Sequence, residues 1–375
     1  MKVGLNLLFL GPGAGGVGRY AVELAKALSD RDDLELELFV TGEGLSVLAS
    51  QGYEGGARIR RLPVDRSGRA GYLAASFLGV PALASSCRLD VLHSPANVGP
   101  VHAPGVACVV TVHDLIWMRY GTDWDSPGAV SSMERSTMLT VPRARRLITD
   151  SEASKTDLVT LLGIDGGRID VVPLGVQVET AVACTGEAEL RKRLEIGAGR
   201  VVLCVAQKRP YKGQERLIRA LPDLPEDLVL VLPGASTDYE AHLRRLVEEL
   251  GLQSRVVFPD WVSDEDLEGL YRLATCFALA SEIEGFGLPV LEAMARGLPV
   301  ACSERSSLPE VAGGAAVMFD PGDQGAVTGV LERLVDDERL RGRLIANGLE
   351  RAGEFTWRRT AQETVDSYRR AMEAP

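Results

Sequence analysis

Two glutamates eight positions apart, Glu284 and Glu292, stand in the string SEIEGFGLPVLEAMARG over residues 281–297. The first falls in a glycine-rich loop and the second about one turn into a helix, with Pro289 near its start and Gly297 just past its end. Proline early and glycine late is the ordinary asymmetry of helix ends. Carboxylates so placed can accept paired hydrogen bonds from hydroxyls of a sugar ring or a ribose, charge-assisted bonds of roughly 1.5–3 kcal/mol each. Gly285 and Gly287 lack a Cβ and let the backbone approach a bulky ligand. The helix start offers unpaired N–H groups and partial positive charge to a phosphate. The plainer alternative is that both glutamates only complement the helix dipole.

A second chemical string, VAQKRPYKG over 205–213, follows an apolar run and carries Lys208, Arg209 and Lys212. Cations at a strand end suit a diphosphate leaving group, whose charge grows as a glycosidic bond breaks; a solvated basic loop is the alternative. Near the start, GPGAGGVGRY over 11–20 satisfies G-x-G-x-x-G twice, through Gly11, Gly13 and Gly16 and through Gly13, Gly15 and Gly18. A dinucleotide site also wants an acidic residue closing the second strand, and Val40 and Thr41 stand there instead. His113, in VHDL over 112–115, ends another apolar run, and His93 ends a third. Three D-x-D pairs occur, Asp30/Asp32, Asp123/Asp125 and Asp264/Asp266. They read as helix ends and a polar loop rather than as a metal site beside a diphosphate, so no metal is expected.

Parallel strands and helices must hold these groups. Apolar runs at 2–9, 34–40, 58–62, 91–93, 106–112, 147–149 and 169–172 alternate with helical or loop segments, and the rhythm resumes at 201–206, 228–232, 255–258, 276–280, 299–302 and 316–319. Such alternation predicts parallel sheets covered on both faces. Two α/β units in tandem follow, the fold class being two Rossmann-like domains whose strand ends face a common cleft. The expected boundaries are 1–180 for the first domain, joined by a returning helix over 357–375, and 190–355 for the second. A linker lies in 175–199, with a short charged helix at 187–194.

Composition narrows the function further. At 375 residues the chain is long for one core. Its net charge of −11 disfavours nucleic acid and anionic lipid as partners of the whole molecule. The basic clusters Arg58, Arg60, Arg61 and Arg143, Arg145, Arg146 leave room for a weak peripheral membrane contact. Six cysteines without a C-x-x-C pair predict a reducing compartment and no disulfide frame. The apolar stretch at 71–87 is interrupted by Gly79 and Pro81, and no signal peptide is read at the start. The location expected is cytoplasmic, with peripheral attachment to the inner membrane face allowed.

The string over 281–297 resembles the E-x7-E motif of the retaining family 4 glycosyltransferases, whose scaffold is called GT-B. The resemblance implies that Glu284 lies near the donor sugar, that Glu292 binds the ribose, and that Phe286, Gly287 and Leu288 lie beside sugar and diphosphate. The family has V-G-R-x-x-x-x-K-G where this chain has VAQKRPYKG. Lys212 matches the family lysine, whereas Gln207 replaces the arginine, and either Lys208 or Arg209 supplies the charge or Gln207 donates neutral hydrogen bonds. Gly15 and Gly16 match the family's opening glycine loop, and His113 its H-D site near the reaction centre. The strings at 149–154, 172–176 and 307–313 look like further family landmarks, with Glu310 in the last. The implied activity is retaining, metal-independent transfer of a hexose-type sugar from a UDP- or GDP-linked donor, without a cofactor. The acceptor is a hydroxyl of a saccharide, a lipid-linked glycan or a natural-product aglycone. The rival readings are a nucleotide-sugar epimerase or phosphorylase on the same scaffold, and a non-catalytic nucleotide-sugar-binding protein.

Overall fold

A computed structural model describes residues 1–64, 71, 74–121, 125–177 and 183–373. Asp123 and the 180 boundary lie outside the described residues. Runs of valine, leucine and isoleucine form β1 (Lys2–Asn6), β2 (Glu35–Val40), β3 (Arg58–Arg61), β4 (Val91–Ser94), β5 (Ala107–Thr111), β6 (Arg146–Thr149) and β7 (Ile169–Val171). These make one sheet in the order β3-β2-β1-β4-β5-β6-β7. A second sheet contains β8 (Arg200–Leu203), β9 (Leu228–Val231), β10 (Val256–Val257), β11 (Cys276–Leu279), β12 (Val300–Ser303) and β13 (Ala316–Phe319), in the order β10-β9-β8-β11-β12-β13. Every registered strand pair is parallel. Both are Rossmann-like α/β layers. Residues such as Leu5, Val91, Val109, Leu203, Phe277 and Val300 are fully buried in them, each stabilising by roughly 1.5–3 kcal/mol relative to exposure.

The strand order reverses once in each sheet, between β1 and β4 and between β8 and β11. Ligand crevices in open α/β sheets form outside the strand carboxyl ends at such reversals. Because β8 and β11 are hydrogen-bonded neighbours, the lysine-bearing segment 204–213 and the glutamate-bearing segment 280–287 leave the sheet side by side. That placement follows from topology alone.

The helices used below are α1 (Gly15–Ser29), α2 (Glu152–Leu162), α3 (Gln214–Ala220), α4 (Tyr239–Glu249), α5 (Asp264–Leu273), α6 (Leu288–Ala295) and α7 (Trp357–Glu373). Helix α1 begins four residues before the first expected helical position, so Gly15 and Gly16 form its opening turn rather than a loop. Ser151 caps α2 by accepting from the Ser154 amide at 3.1 Å, and Gly163 ends it in the left-handed conformation, φ 65°. Ser263 caps α5 and Asp264 and Asp266 lie in its first turn, favourable at the positive end of a helix. Asp30 caps the C-terminus of α1.

The chain divides into unit 1, Met1–Gly175 with Thr356–Pro375, and unit 2, Val176–Phe355. Helix α7 packs against α1, β5 and β6 of unit 1, and the Thr360 hydroxyl donates to the Pro173 carbonyl at 2.8 Å. A Cβ on Gly175 would fall 2.3 Å from the Trp357 amide nitrogen, so only glycine lets these two segments lie together. The short helix Glu187–Arg193, expected in a linker, is instead part of unit 2. Leu190 is fully buried there, and the Thr185 hydroxyl donates to Asp266 Oδ1 at 2.6 Å. All six cysteines are free thiols. Among the described residues no helix is long and apolar enough to cross a membrane.

Candidate functional site

In unit 2 the two segments flanking the β8–β11 reversal meet through an ion pair. Lys212 Nζ donates to Glu284 Oε1 at 2.7 Å and Oε2 at 2.8 Å, and the Ser281 hydroxyl donates to Oε1 at 2.7 Å. The Glu282 amide donates to the Tyr211 carbonyl at 2.8 Å, stitching the segments through backbone as well. The pair is largely buried, with side-chain exposures of 16% and 10%, so its Coulomb attraction is screened less than at the surface. Lys212 closes a short 3₁₀ turn, Pro210–Lys212, and Gly213 turns the chain into α3 at φ 68°. The sequence thus presents a lysine head beside a carboxylate at the end of a buried sheet.

Glu292 lies one turn further along α6, 5% exposed, where the Tyr271 hydroxyl donates to its Oε2 at 3.0 Å. Gly287 caps α6 with φ 106° and no side-chain cap hydrogen bond. Its lack of a Cβ serves the fold: one would fall 2.6 Å from Leu308 Cδ2. The hydroxyls of Ser306 and Ser307 donate to the Glu284 carbonyl at 2.8 and 3.0 Å, and Ser307 also reaches the Phe286 carbonyl at 2.8 Å. The Phe286 ring is buried edge-to-face on Phe355, with centroids 5.9 Å apart. Leu288, the first residue of α6, is half-buried.

Lys208 departs from the expectation that it supplies charge to a phosphate. Its side chain is fully buried and Nζ donates to the Gly234 carbonyl and, at 2.7 Å, to the Pro259 carbonyl, with Glu240 Oε2 at 3.8 Å. Burial lowers its pKa against the pull of Glu240 and Asp260. Lys208 therefore ties together the loops after β8, β9 and β10 and does not offer its charge to a ligand. Gln207 is exposed, and its carbonyl accepts from Gln214 Nε2 at 2.9 Å. Arg209 is half-buried, and its Nε is buried without a hydrogen-bond partner among the described residues.

In unit 1, His113 follows β5 and Asp150 follows β6, so the neighbouring strands bring them together. Nδ1 of His113 lies 2.7 Å from Asp150 Oδ2 and Nε2 lies 3.4 Å from the Pro95 carbonyl. The Tyr20 ring from α1 stands edge-on to the imidazole, 4.8 Å between centroids at 83°. Burial works against charge on His113, yet the Asp150 carboxylate outweighs it and raises its pKa. His93 lies deeper, fully buried. Its ring nitrogens sit 2.7 Å from the Tyr368 hydroxyl of α7 and 2.8 Å from the Thr111 hydroxyl. Burial pushes His93 down to about 3, so it is neutral and structural. The exposed Gly15 and Gly16 open α1, whose cap residue Ala14 makes no side-chain cap hydrogen bond.

Sequence reading missed Asp150, Tyr20 and Tyr271. The D in TDSEAS over 149–154 follows a strand that lies beside the one preceding His113, a signal visible only once the strand order is known. Among the described residues no group of three or more histidine, cysteine, aspartate or glutamate side chains could hold a metal ion.

Residues 14–180 match the family model described as Glycosyltransferase Family 4, and residues 187–351 the one described as Glycosyl transferases group 1. The chain is 30% identical over 411 residues to a D-inositol 3-phosphate glycosyltransferase of Kineococcus radiotolerans, covering 96% of this chain and 91% of that one. It is 27% identical over 382 residues to the O-antigen chain mannosyltransferase B of Escherichia coli, covering 94% and 96%. In fold it is similar to Anabaena HepE, solved in complex with UDP-glucose, with a TM-score of 0.75, 20% identity and 98% of each chain covered.

Proposed function

The chain belongs to the glycosyltransferases described as Glycosyltransferase Family 4 and group 1, and on that premise we propose that it moves a hexose-type sugar from a nucleoside diphosphate donor to a hydroxyl acceptor with retention at the anomeric carbon. The observation that carries this reading is the Lys212–Glu284 pair at the strand-order reversal of unit 2, next to the open start of α6. A departing diphosphate gains charge as the sugar leaves. Lys212 and the amides at the α6 start stabilise that charge where it develops. Glu284 orients the sugar hydroxyls, and Glu292, steadied by Tyr271, accepts from the ribose.

Arg209 fills the place of the phosphate-binding arginine that Gln207 does not provide. A buried donor left unmet costs about 1–3 kcal/mol, and a phosphate oxygen relieves that cost at Arg209 Nε. Lysine, guanidinium and helix end together take over the work of a metal ion, so the reaction needs neither metal nor cofactor. The acceptor attacks on the face the diphosphate leaves, and the leaving phosphate takes its proton. Within unit 1, Gly15 and Gly16 take a donor-binding role and His113 a catalytic one. A UDP-linked donor is supported by the UDP-glucose complex of HepE, and a saccharide or polyol acceptor by the names of the relatives.

The test is a thermal-shift screen with UDP-glucose and GDP-mannose, followed by labelled-sugar transfer. A donor present at a hundred times its Kd stabilises the folded state by about 2.7 kcal/mol. Arg209→Ala is expected to weaken that donor's binding roughly tenfold, equivalent to losing one charge-assisted bond, while leaving the urea midpoint in place. The reading fails if no sugar nucleotide raises Tm, or if Lys212→Ala transfers sugar at the wild-type rate.

A further inference from the structure

Asp150 is buried to 2% exposure in unit 1, and its Oδ1 has no hydrogen-bond partner among the described residues. Its other oxygen, Oδ2, lies 2.7 Å from His113 Nδ1, the short separation of a charge-assisted bond. A buried carboxylate with one such partner is held there at a cost in solvation, and capping or sheet pairing does not account for its position. The imidazole is fixed from several sides. The His113 amide donates to Asn97 Oδ1 at 2.9 Å, the Ser154 hydroxyl donates to the His113 carbonyl at 2.9 Å, and Tyr20 stands against the ring. With Nδ1 committed to Asp150, the remaining nitrogen is Nε2, whose Pro95 contact at 3.4 Å is long for a hydrogen bond.

We propose that Asp150 is a positioning residue: its carboxylate keeps the proton on His113 Nδ1, locks the ring, and leaves Nε2 as the atom that meets a substrate oxygen. The proposal rests on the glycosyltransferase reading for what that oxygen belongs to, a sugar or acceptor hydroxyl. Held beside a carboxylate, the imidazole is charged over a wider pH range than a free one, and Nε2–H then donates to the substrate. That role suits a reaction in which the leaving phosphate, and not a histidine, removes the acceptor proton.

The other titratable groups around the ring act in the same direction or not at all. Asp114, on the same loop, adds attraction for the charged form and accepts from the Ile116 amide at 3.0 Å. Tyr20 from α1 stays protonated, since burial first and the Asp150 charge second raise it far above its ordinary range. His93 from β4 stays neutral. Glu152 opens α2 with its side chain exposed.

Asp150→Asn keeps an acceptor oxygen for Nδ1–H and removes the charge. The full-length wild type and this variant are to be titrated by NMR with labelled histidine, His113 being assigned by its absence in His113→Gln, alongside the pH profile of kcat. The wild-type midpoint is expected above about 6.5, the ordinary imidazole value. It falls by about one to three pH units in Asp150→Asn, the alkaline limb of kcat moves down with it, and KM stays in place. Between the two midpoints kcat drops roughly tenfold for each pH unit separating them. A wild-type His113 that titrates at the free value, or a profile unmoved by Asp150→Asn, overturns the proposal, and the first of these is readable even if the variant does not fold. Wild-type turnover in His113→Gln also overturns it, while leaving the donor site of Lys212 and Glu284 standing.

Discussion

The loops around the unit 2 ion pair and the segment that opens α1 in unit 1 are built in opposite ways. Three glycines of the unit 2 loops are hemmed in by protein. A Cβ on Gly213 would fall 2.1 Å from the Ala280 carbonyl oxygen, one on Gly234 2.3 Å from that of Ala206, and one on Gly287 2.6 Å from Leu308. In unit 1 a Cβ on Gly13, Gly15 or Gly16 would meet nothing within 4 Å. Gly13 and Gly15 have positive φ, 77° and 57°, which glycine adopts at little cost. Gly16 has neither excuse. Among the described residues nothing lies within 4 Å of where its Cβ would stand. The difference separates loops that are set in advance by packing from a helix start whose glycines no described neighbour constrains.

Substitutions can break or sharpen that contrast. The largest effect belongs to Gly213→Ala, which combines a left-handed backbone with overpacking against Ala280. It is expected to cost about 3 kcal/mol or more, read as a lower urea midpoint, and a near-neutral result would mean that the unit 2 loops are not set by packing. Glu284→Ala comes next. Turnover should fall by more than about tenfold, or roughly 1.4 kcal/mol in the barrier, with the circular dichroism spectrum unchanged.

Acid should then distinguish the units. Buried His93 takes up its proton near 3 when folded and near the ordinary value of about 6.5 when unfolded. As pH falls between those values the unfolded state binds the proton first, so stability is lost by up to about 1.4 kcal/mol per pH unit. His93→Gln should flatten that slope in unit 1, measured by urea titrations from pH 7 to 4, and an unchanged slope would remove His93 as its source. The smallest effect is in Gly16→Ala. Stability should rise or fall by less than about 1 kcal/mol, since alanine favours a helix, whereas transfer slows severalfold. Equal loss of both would show that this glycine serves the fold after all.

Much of this was legible in the residues. The strands announced themselves because buried parallel sheets need continuous apolar runs, and Ser263, Pro289 and Gly297 marked helix ends by chemistry that acts over one turn. Glu284 and Lys212 could be paired as a site, but their contact depends on β8 lying beside β11, and pairing order is set by the packing of the whole sheet. Lys208 was illegible for a related reason. A lysine one residue from an exposed glutamine gives no local sign that its ammonium turns inward to carbonyls of two other loops. Asp150 failed to stand out because a single aspartate at a strand end has many structural uses, and its partner is 37 positions away. The start of α1 was misplaced because glycines weaken the very propensity by which a helix is recognised.

Helix α7 belongs to unit 1 although all of unit 2 precedes it in the chain. During synthesis the first-made sheet therefore waits for its final layer until residues 176–355 have passed through the ribosome, roughly ten to forty seconds at ordinary rates. Throughout that interval Tyr20 and His93 lack Trp357 and Tyr368, their partners on α7. The later-made unit can be complete before the earlier one, and a nascent chain stalled just short of its last helix would expose the half-finished sheet to chaperones.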